Sequence, residues 1–307
     1  TLTMSGGNTY TGSTTINGGI LSINADNVLG TAPGAATPGH LTINGGILET
    51  RASFTLSTNR GIELAGNGEI DVNTGTTLTY AGTIAGSGNL TKSDAGTLSL
   101  TTANTYTGST TINGGTVTVA ADSGLGAAPG SETPGHLTFN NGTLAATANF
   151  TLSANRGIAL TGDGTFNVSA NRTLVYGGII AGPGGLTKIT TGTLVLTGAN
   201  TYDGATTVTA GALNVRNDTG LGSTAAGTSV ASGAALQLQG GITIGAEALT
   251  LDGTGVSNTG ALRNISGNNT HGGTITLLSA GRINSDSGTL TLTGGIDNGG
   301  FLLTVGG

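Results

Sequence analysis

Among the charged side chains that fall close together in a chain that has few, five stand out beside the recurring Arg60: Glu49, Arg51, Glu63, Glu69 and Asp71. Glu49 and Asp71 are 22 residues apart. If that interval is one coil of a winding strand path, the two carboxylates stand on adjacent coils facing the same way. They then repel unless Arg51 or a cation intervenes. Grouped carboxylates on one face of a parallel β-helix are what polysaccharide lyases and hydrolases use, so Glu49, Glu69 and Asp71 are the best enzymatic candidates in the sequence. The plainer reading is a solvated edge, because charged side chains are mostly exposed and mostly idle. In the homologous stretch further along, Glu49, Arg51, Glu63, Glu69 and Asp71 become Ala145, Thr147, Ala159, Thr165 and Asn167.

Other polar residues recur at a fixed interval of 96: Asp26, Asp122 and Asp218; His40 and His136; Arg60 and Arg156; Lys92 and Lys188; Tyr10, Tyr106 and Tyr202. A catalytic centre needs one converged constellation, whereas a stacked scaffold needs the same turn chemistry in every unit. The Asp residues therefore read as turn caps. His40 and His136 each follow Pro-Gly at the start of a strand and read as satisfied structural histidines. His271 stands alone, so neighbouring sequence supplies no zinc constellation. The three Tyr residues are either packing over a loop or a spaced aromatic platform for a sugar, with packing the commoner use. Residues 181–188 have the flavour of a phosphate loop but lack the G-K-[ST] ending, and no G-x-S-x-G elbow occurs. Residues 66–72 loosely resemble a calcium nonapeptide, though only once. The sequon at Asn149 carries little weight in a chain rich in Asn and Thr. No catalytic, cofactor-binding or metal-binding residue is assigned on these grounds, and no cofactor is expected.

The elements that must position these residues follow from composition and repeats. The chain has 307 residues, 59 of them Gly, with 5 Pro, no Cys and 8% charged residues. Short regular clusters of Leu, Ile and Val argue for a folded interior, with Gly as turn former. Nine basic against fifteen acidic residues, the basic ones scattered, argue against nucleic acid. Without Cys there are neither disulfides nor thiolate metal sites. No apolar run is long enough to span a membrane and no signal peptide is present, so export is expected to be encoded outside these residues.

The twelve residues NTYTGSTTINGG occur at Asn8–Gly19 and unchanged at Asn104–Gly115, with NTYDGATTVTAG at Asn200–Gly211. FTLSTNRGIEL at Phe54 and FTLSANRGIAL at Phe150, and TPGHLTI at Thr37 and TPGHLTF at Thr133, keep the same 96-residue offset. The chain thus divides into units 1–96, 97–192 and 193–288, with a partial fourth at 289–307, in one continuous β-solenoid over 1–307. Within a unit, apolar and polar residues alternate with period two, as in Val117-Thr118-Val119, and Gly pairs punctuate them. A single helical turn is expected at Asp26–Gly30, capped by Asp26. Strands beginning near Ile20, Ile47, Glu69, Asn89 and Thr116 suggest coils of 20 to 27 residues, about four per unit.

The stretch Leu90-Thr91-Lys92 … Gly96-Thr97-Leu98 … Asn104-Thr105-Tyr106-Thr107-Gly108 … Asn113-Gly114-Gly115-Thr116-Val117, and its copy from Leu186 to Val215, resembles the autotransporter-associated β-strand repeat of Gram-negative autotransporter passengers. The resemblance implies an all-β, right-handed parallel β-helix, export across the outer membrane, and a cell-surface role as adhesin, stalk or fibre. It brings no catalytic residues with it. Uncapped terminal strands, Thr1-Leu2-Thr3-Met4 and Leu302–Gly307, suggest end-to-end self-association or continuation into more solenoid. Surface glycans are the other partner considered, and no nucleic acid is expected.

Overall fold

The structure, a computed structural model, describes residues 1–307. It divides into two compact units, Thr1–Thr147 and Ala148–Gly307. Both are β-solenoids of short parallel strands, as the period-two alternation requires, and only brief 3₁₀ turns interrupt them, at Asp26–Leu29, Asp122–Leu125 and Val256–Asn258. No helix is long and apolar enough to cross a membrane.

In the first unit the chain winds through three parallel sheets. The first contains Ile20–Ile23, Ile47–Thr50, Gly68–Val72, Leu90–Ser93, Thr110–Asn113 and Thr133–Phe139, stacked in that order. The second contains Thr14–Ile16, Thr37–Ile43, Arg60–Leu64 and Ile84–Gly86. The third contains Phe54–Leu56, Thr77–Tyr80, Thr97–Leu100, Thr116–Val119 and Gly142–Ala146. Alternate side chains of each strand point inward, so like residues stack into columns. Leu78, Leu98, Val117 and Leu144 form one such column, all buried.

The copies 96 residues apart do not share a face. Thr14–Ile16 lies in the second sheet and its counterpart Thr110–Asn113 in the first. Ile20–Ile23 lies in the first and Thr116–Val119 in the third. Thr37–Ile43 and Thr133–Phe139, and Ile47–Thr50 and Gly142–Ala146, are displaced in the same sense. From Ile20 the chain completes four coils to reach Thr110 on the same sheet and then moves one face on to Thr116. The interval is therefore four coils plus one face, not the four coils that strand starts in the sequence suggested. Thr116 does not begin the coil after Asn89; Thr110 does.

The second unit is built likewise. One sheet runs from Gly164–Val168 through Leu186–Ile189, Thr206–Val208, Thr228–Val230 and Leu249–Leu251 to Ile275–Leu277 and Ile296–Asp297. A second runs from Phe150–Leu152 through Thr173–Tyr176, Thr193–Leu196, Gly211–Val215, Ala234–Gln239, Leu262–Ser266 and Gly281–Ser285 to Leu303–Gly306. Thr243–Ile244, Asn269–His271 and Leu290–Leu292 form a third.

Candidate functional site

The repeated stretch is consumed by the fold. Asn104 is buried and bridges three coils: its Oδ1 accepts from Ile84 N–H at 2.8 Å on the coil before, and its Nδ2 donates to Gly124 O at 2.7 Å on the coil after. Asn200 repeats the joint with Ile180 N–H at 2.9 Å and Gly220 O at 2.8 Å. Asn8 makes the forward half, to Val28 O at 2.7 Å. Each Tyr hydroxyl meets the Thr four residues on: Tyr10–Thr14 at 2.9 Å, Tyr106–Thr110 at 2.7 Å, Tyr202–Thr206 at 2.6 Å. Each Tyr also packs its ring and carbonyl against a Gly of the next coil. At Gly126, with φ of 79°, an added Cβ would stand 2.5 Å from Tyr106 O. Tyr106 and Tyr202 are fully buried and only Tyr10 is open, 37% exposed. The sugar-platform reading therefore loses two of its three residues to packing.

The recurring cations are also interior. Lys92 sits at the parity of Leu90, in an inward column between Ile70 and Ile112. Its ammonium donates to Ser93 O at 2.6 Å and Asp94 O at 2.8 Å, closing a corner where Asp94 adopts φ of 59°. Lys188 does the same with Ile189 O, Thr190 O and Ala210 O. Burial pushes both ammonium groups down to about 8, for Lys92 against the pull of Asp71 and Asp94. Arg60, fully buried, donates to Asp26 Oδ1 at 2.9 Å, Leu29 O at 2.7 Å and Gly30 O at 2.5 Å. Asp26 is thus no helix cap. It is the first residue of the 3₁₀ turn, makes no capping bond there, and turns its carboxylate to Arg60 and Ser57 N–H. Asp218 instead accepts from Thr243 N–H at 2.7 Å.

The histidines are structural but not uniformly satisfied. His40 is buried with neither ring nitrogen hydrogen-bonded, contrary to the expectation from its Pro-Gly context. His136 is buried at the same place in its strand. His271 stacks between Ile244 and Leu292, and burial pushes its imidazole below the usual histidine range. Glu247, inconspicuous in the sequence, is buried and accepts from Thr228 Oγ1 at 2.9 Å; burial raises its carboxyl.

The acidic candidates are partly brought together. Glu49 and Asp71 are register partners on adjacent coils of the first sheet, so their 22-residue spacing is one coil. Glu69, two residues before Asp71 on the same side of the strand, accepts from Ser93 Oγ, the register partner of Asp71 on the next coil. Glu63 lies on the second sheet, paired with Thr42 and Ala85. Arg51 is exposed and forms no ion pair. Burial raises the Asp71 carboxyl, and Asp94, Glu49 and Glu69 add to the effect while Lys92 opposes it.

These carboxylates face outward from a sheet. One groove, about 450 Å³, lies along the second sheet between Thr37, Pro38, Asn59, Gly61, Gly82 and Thr105. No carboxylate lines it, so substrate-sized space and acid–base groups do not coincide. No three His, Cys, Asp or Glu side chains are grouped to hold a metal ion.

Residues 1–23, 90–119 and 186–215 match the family described as Passenger-associated-transport-repeat. These are the stretches that carry the Asn joints and the Tyr–Thr pairs, and in the latter two the buried Lys. Over 226 residues the chain is 35% identical to the Adhesin BmaC autotransporter of Brucella suis biovar 1 (strain 1330). The alignment covers 68% of this chain and 6% of that protein. No solved structure matches.

Proposed function

We infer that this chain, which belongs to the autotransporter passengers carrying passenger-associated-transport repeats, is a non-enzymatic segment of a cell-surface adhesin. The observation that carries the reading is where the polar repeats point. Asn104, Asn200, Tyr106, Tyr202, Lys92 and Lys188 are all buried, so in these copies the repetition builds coils. What faces out is a lattice of hydroxyls. Thr77, Thr97, Thr116 and Thr143 stack in register on the third sheet of the first unit, beside Thr79, Ser99 and Thr118. In the second unit Thr165, Thr187, Thr207, Ser229, Thr250 and Thr276 form another column. Such faces suit many weak polar contacts with a surface. The relative is named an adhesin, and that kinship supports surface location and export across the outer membrane. The 96-residue units 1–96, 97–192 and 193–288 are the duplicated building blocks.

Beads coated with the purified chain test the proposal on host cells and glycan arrays, with polysaccharide cleavage assayed in parallel. Retention above that of beads carrying an unrelated solenoid, without cleavage, supports it. Cleavage that disappears in Glu49→Gln/Asp71→Asn returns the enzymatic reading, and absence of retention on every surface refutes adhesion by this segment. End-to-end stacking of solenoids belongs to the same proposal. Filaments that lengthen with concentration in electron micrographs support it, and isolated rods refute it.

A further inference from the structure

The outward side of one sheet of the second unit is unlike the hydroxyl faces. Its strands Gly211–Val215, Ala234–Gln239, Leu262–Ser266 and Gly281–Ser285 turn Leu213, Leu236, Leu262 and Ile283 inward, all buried in one column. The neighbouring column faces out and consists of Asn214, Gln237, Arg263 and Asn284, each in register with the next. Two further arginines flank it. Arg216, two residues past Asn214, lays its guanidinium back over the column, with Nε donating to Asn214 Oδ1 at 2.8 Å. Arg282, two residues before Asn284, leans in from the other side. Its Nη2 donates to Asn284 Oδ1 at 3.0 Å and rests on Gly306 of the next coil, where a Cβ would collide with it. The amides are tied to one another as well: Asn214 Nδ2 reaches Gln237 Oε1 at 3.2 Å and Gln239 Oε1 at 3.4 Å.

The charge on this face is only partly matched by the protein. The chain carries −6 overall, and four of its nine basic side chains, Arg60, Arg156, Lys92 and Lys188, are buried. Three of the remaining five meet here. Arg263 is paired with Asp286, Nε to Oδ2 at 2.8 Å, and its Nη1 donates to Thr259 Oγ1 at 3.2 Å. Arg216 and Arg282 form no ion pair. Asp218, two residues past Arg216, accepts from Thr243 N–H instead. Arg282 Nε is buried with no acceptor, so that guanidinium is met within the protein by one amide oxygen. The repeat does not carry these residues: one unit earlier, Thr118 and Ala120 stand where Asn214 and Arg216 do. The arginine face is therefore not turn chemistry common to every unit.

We propose that this face binds an acidic polysaccharide, one whose sugars bear carboxylate or sulfate groups. The inference rests on the adhesin reading and gives it a ligand class. An arginine fork offers paired donors to such an anion, and Asn and Gln offer both donor and acceptor to sugar hydroxyls. Arg216 and Arg282 are held on Asn214 and Asn284, which the register places three strand spacings apart, about 14 Å along the coil axis. A single small anion cannot span them. A short run of sugars can, with anionic groups on the two arginines and hydroxyls on the amides between. No aromatic side chain stands in the column, so binding relies on charge and hydrogen bonds, not on ring stacking. The same lack disfavours single-stranded nucleic acid, whose bases stack on aromatic side chains.

The test is surface plasmon resonance of the full chain over immobilised heparin, hyaluronan, uncharged dextran and DNA. The expected result is saturable binding to heparin, to hyaluronan or to both, the two arms separating sulfate from carboxylate, and none to dextran. Binding should weaken as NaCl is raised, because salt screens exposed charge. Arg216→Gln/Arg282→Gln should weaken it at least about 10-fold, through loss of two charge-assisted contacts. Arg216→Lys/Arg282→Lys keeps the charge without the fork and should fall between that variant and the wild type, which preserves the test if the Gln variant does not fold. Arg51→Gln/Arg172→Gln removes the other two unburied basic side chains and should change nothing. Absence of binding to both acidic glycans, equal binding to DNA, undiminished binding in the arginine variants, or an equal loss in Arg51→Gln/Arg172→Gln each overturns the proposal. Retention of coated beads on host cells that soluble heparin and hyaluronan do not inhibit overturns it too, while leaving adhesion by this segment standing.

Discussion

Replacing Asn104 by Ala measures what the repeated stretch contributes. The side chain is 4% exposed and serves two partners, Ile84 N–H at 2.8 Å and Gly124 O at 2.7 Å. The truncation orphans both on coils that water does not reach easily. Each buried unsatisfied group costs about 1–3 kcal/mol, so the pair costs about 2–6 kcal/mol. Asn8 supplies an internal scale, because its amide makes one such bond, to Val28 O, and Asn8→Ala should cost about half as much. Solenoid coils open locally, so a single melting curve reports the effect poorly. Hydrogen exchange read by mass spectrometry resolves it. Peptides spanning Ile84 and Gly124 should exchange at least about 30-fold faster in Asn104→Ala, the equivalent of about 2 kcal/mol. Peptides near the far end of the second unit should not change. Equal effects of Asn104→Ala and Asn8→Ala, or acceleration spread evenly along the chain, would refute the account of Asn104 as a three-coil joint.

Two more outcomes follow from buried groups. Lys92 and Lys188 titrate near 8 in the fold against about 10.5 unfolded, so between those values the unfolded chain holds more protons and stability rises with pH; the urea midpoint should be higher at pH 9.5 than at pH 7.5, and Lys92→Met/Lys188→Met should flatten the rise. Gly126→Ala forces Cβ to 2.5 Å from Tyr106 O and should cost well over about 2 kcal/mol in urea unfolding, whereas Gly45→Ala, with φ of 76° but open space around it, should cost only about 1 kcal/mol for the left-handed backbone.

Much of this architecture is legible in the residues. Alternation in Thr116–Val119 or Ile47–Thr50 states which side chains face in, and the 22-residue gap between Glu49 and Asp71 does place them on adjacent coils. The face to which a strand belongs is not legible, because it depends on the length of the loops between strands. The loop holding Asn104 and Tyr106 takes the place of a strand, and counting strands alone slipped Thr116 into a coil start that belongs to Thr110. Charge misled for a different reason. Lys92 occupies an inward parity next to Leu90, but a charged residue is expected outside until the carbonyls that receive its ammonium are visible. Asp26 looked like a cap because caps are local, while its actual partner, Arg60, is 34 residues away.

The advance of one face per 96 residues bears on how such a chain can lengthen. Duplicating one unit adds height and also turns everything beyond the insertion by about a third of a revolution. A binding surface carried further along would point in a new direction after one duplication, in another after two, and return to its original azimuth only after three. Copy number in this design is therefore a dial as well as a ruler: duplication of 96 residues would re-aim a distal surface without altering any residue in it.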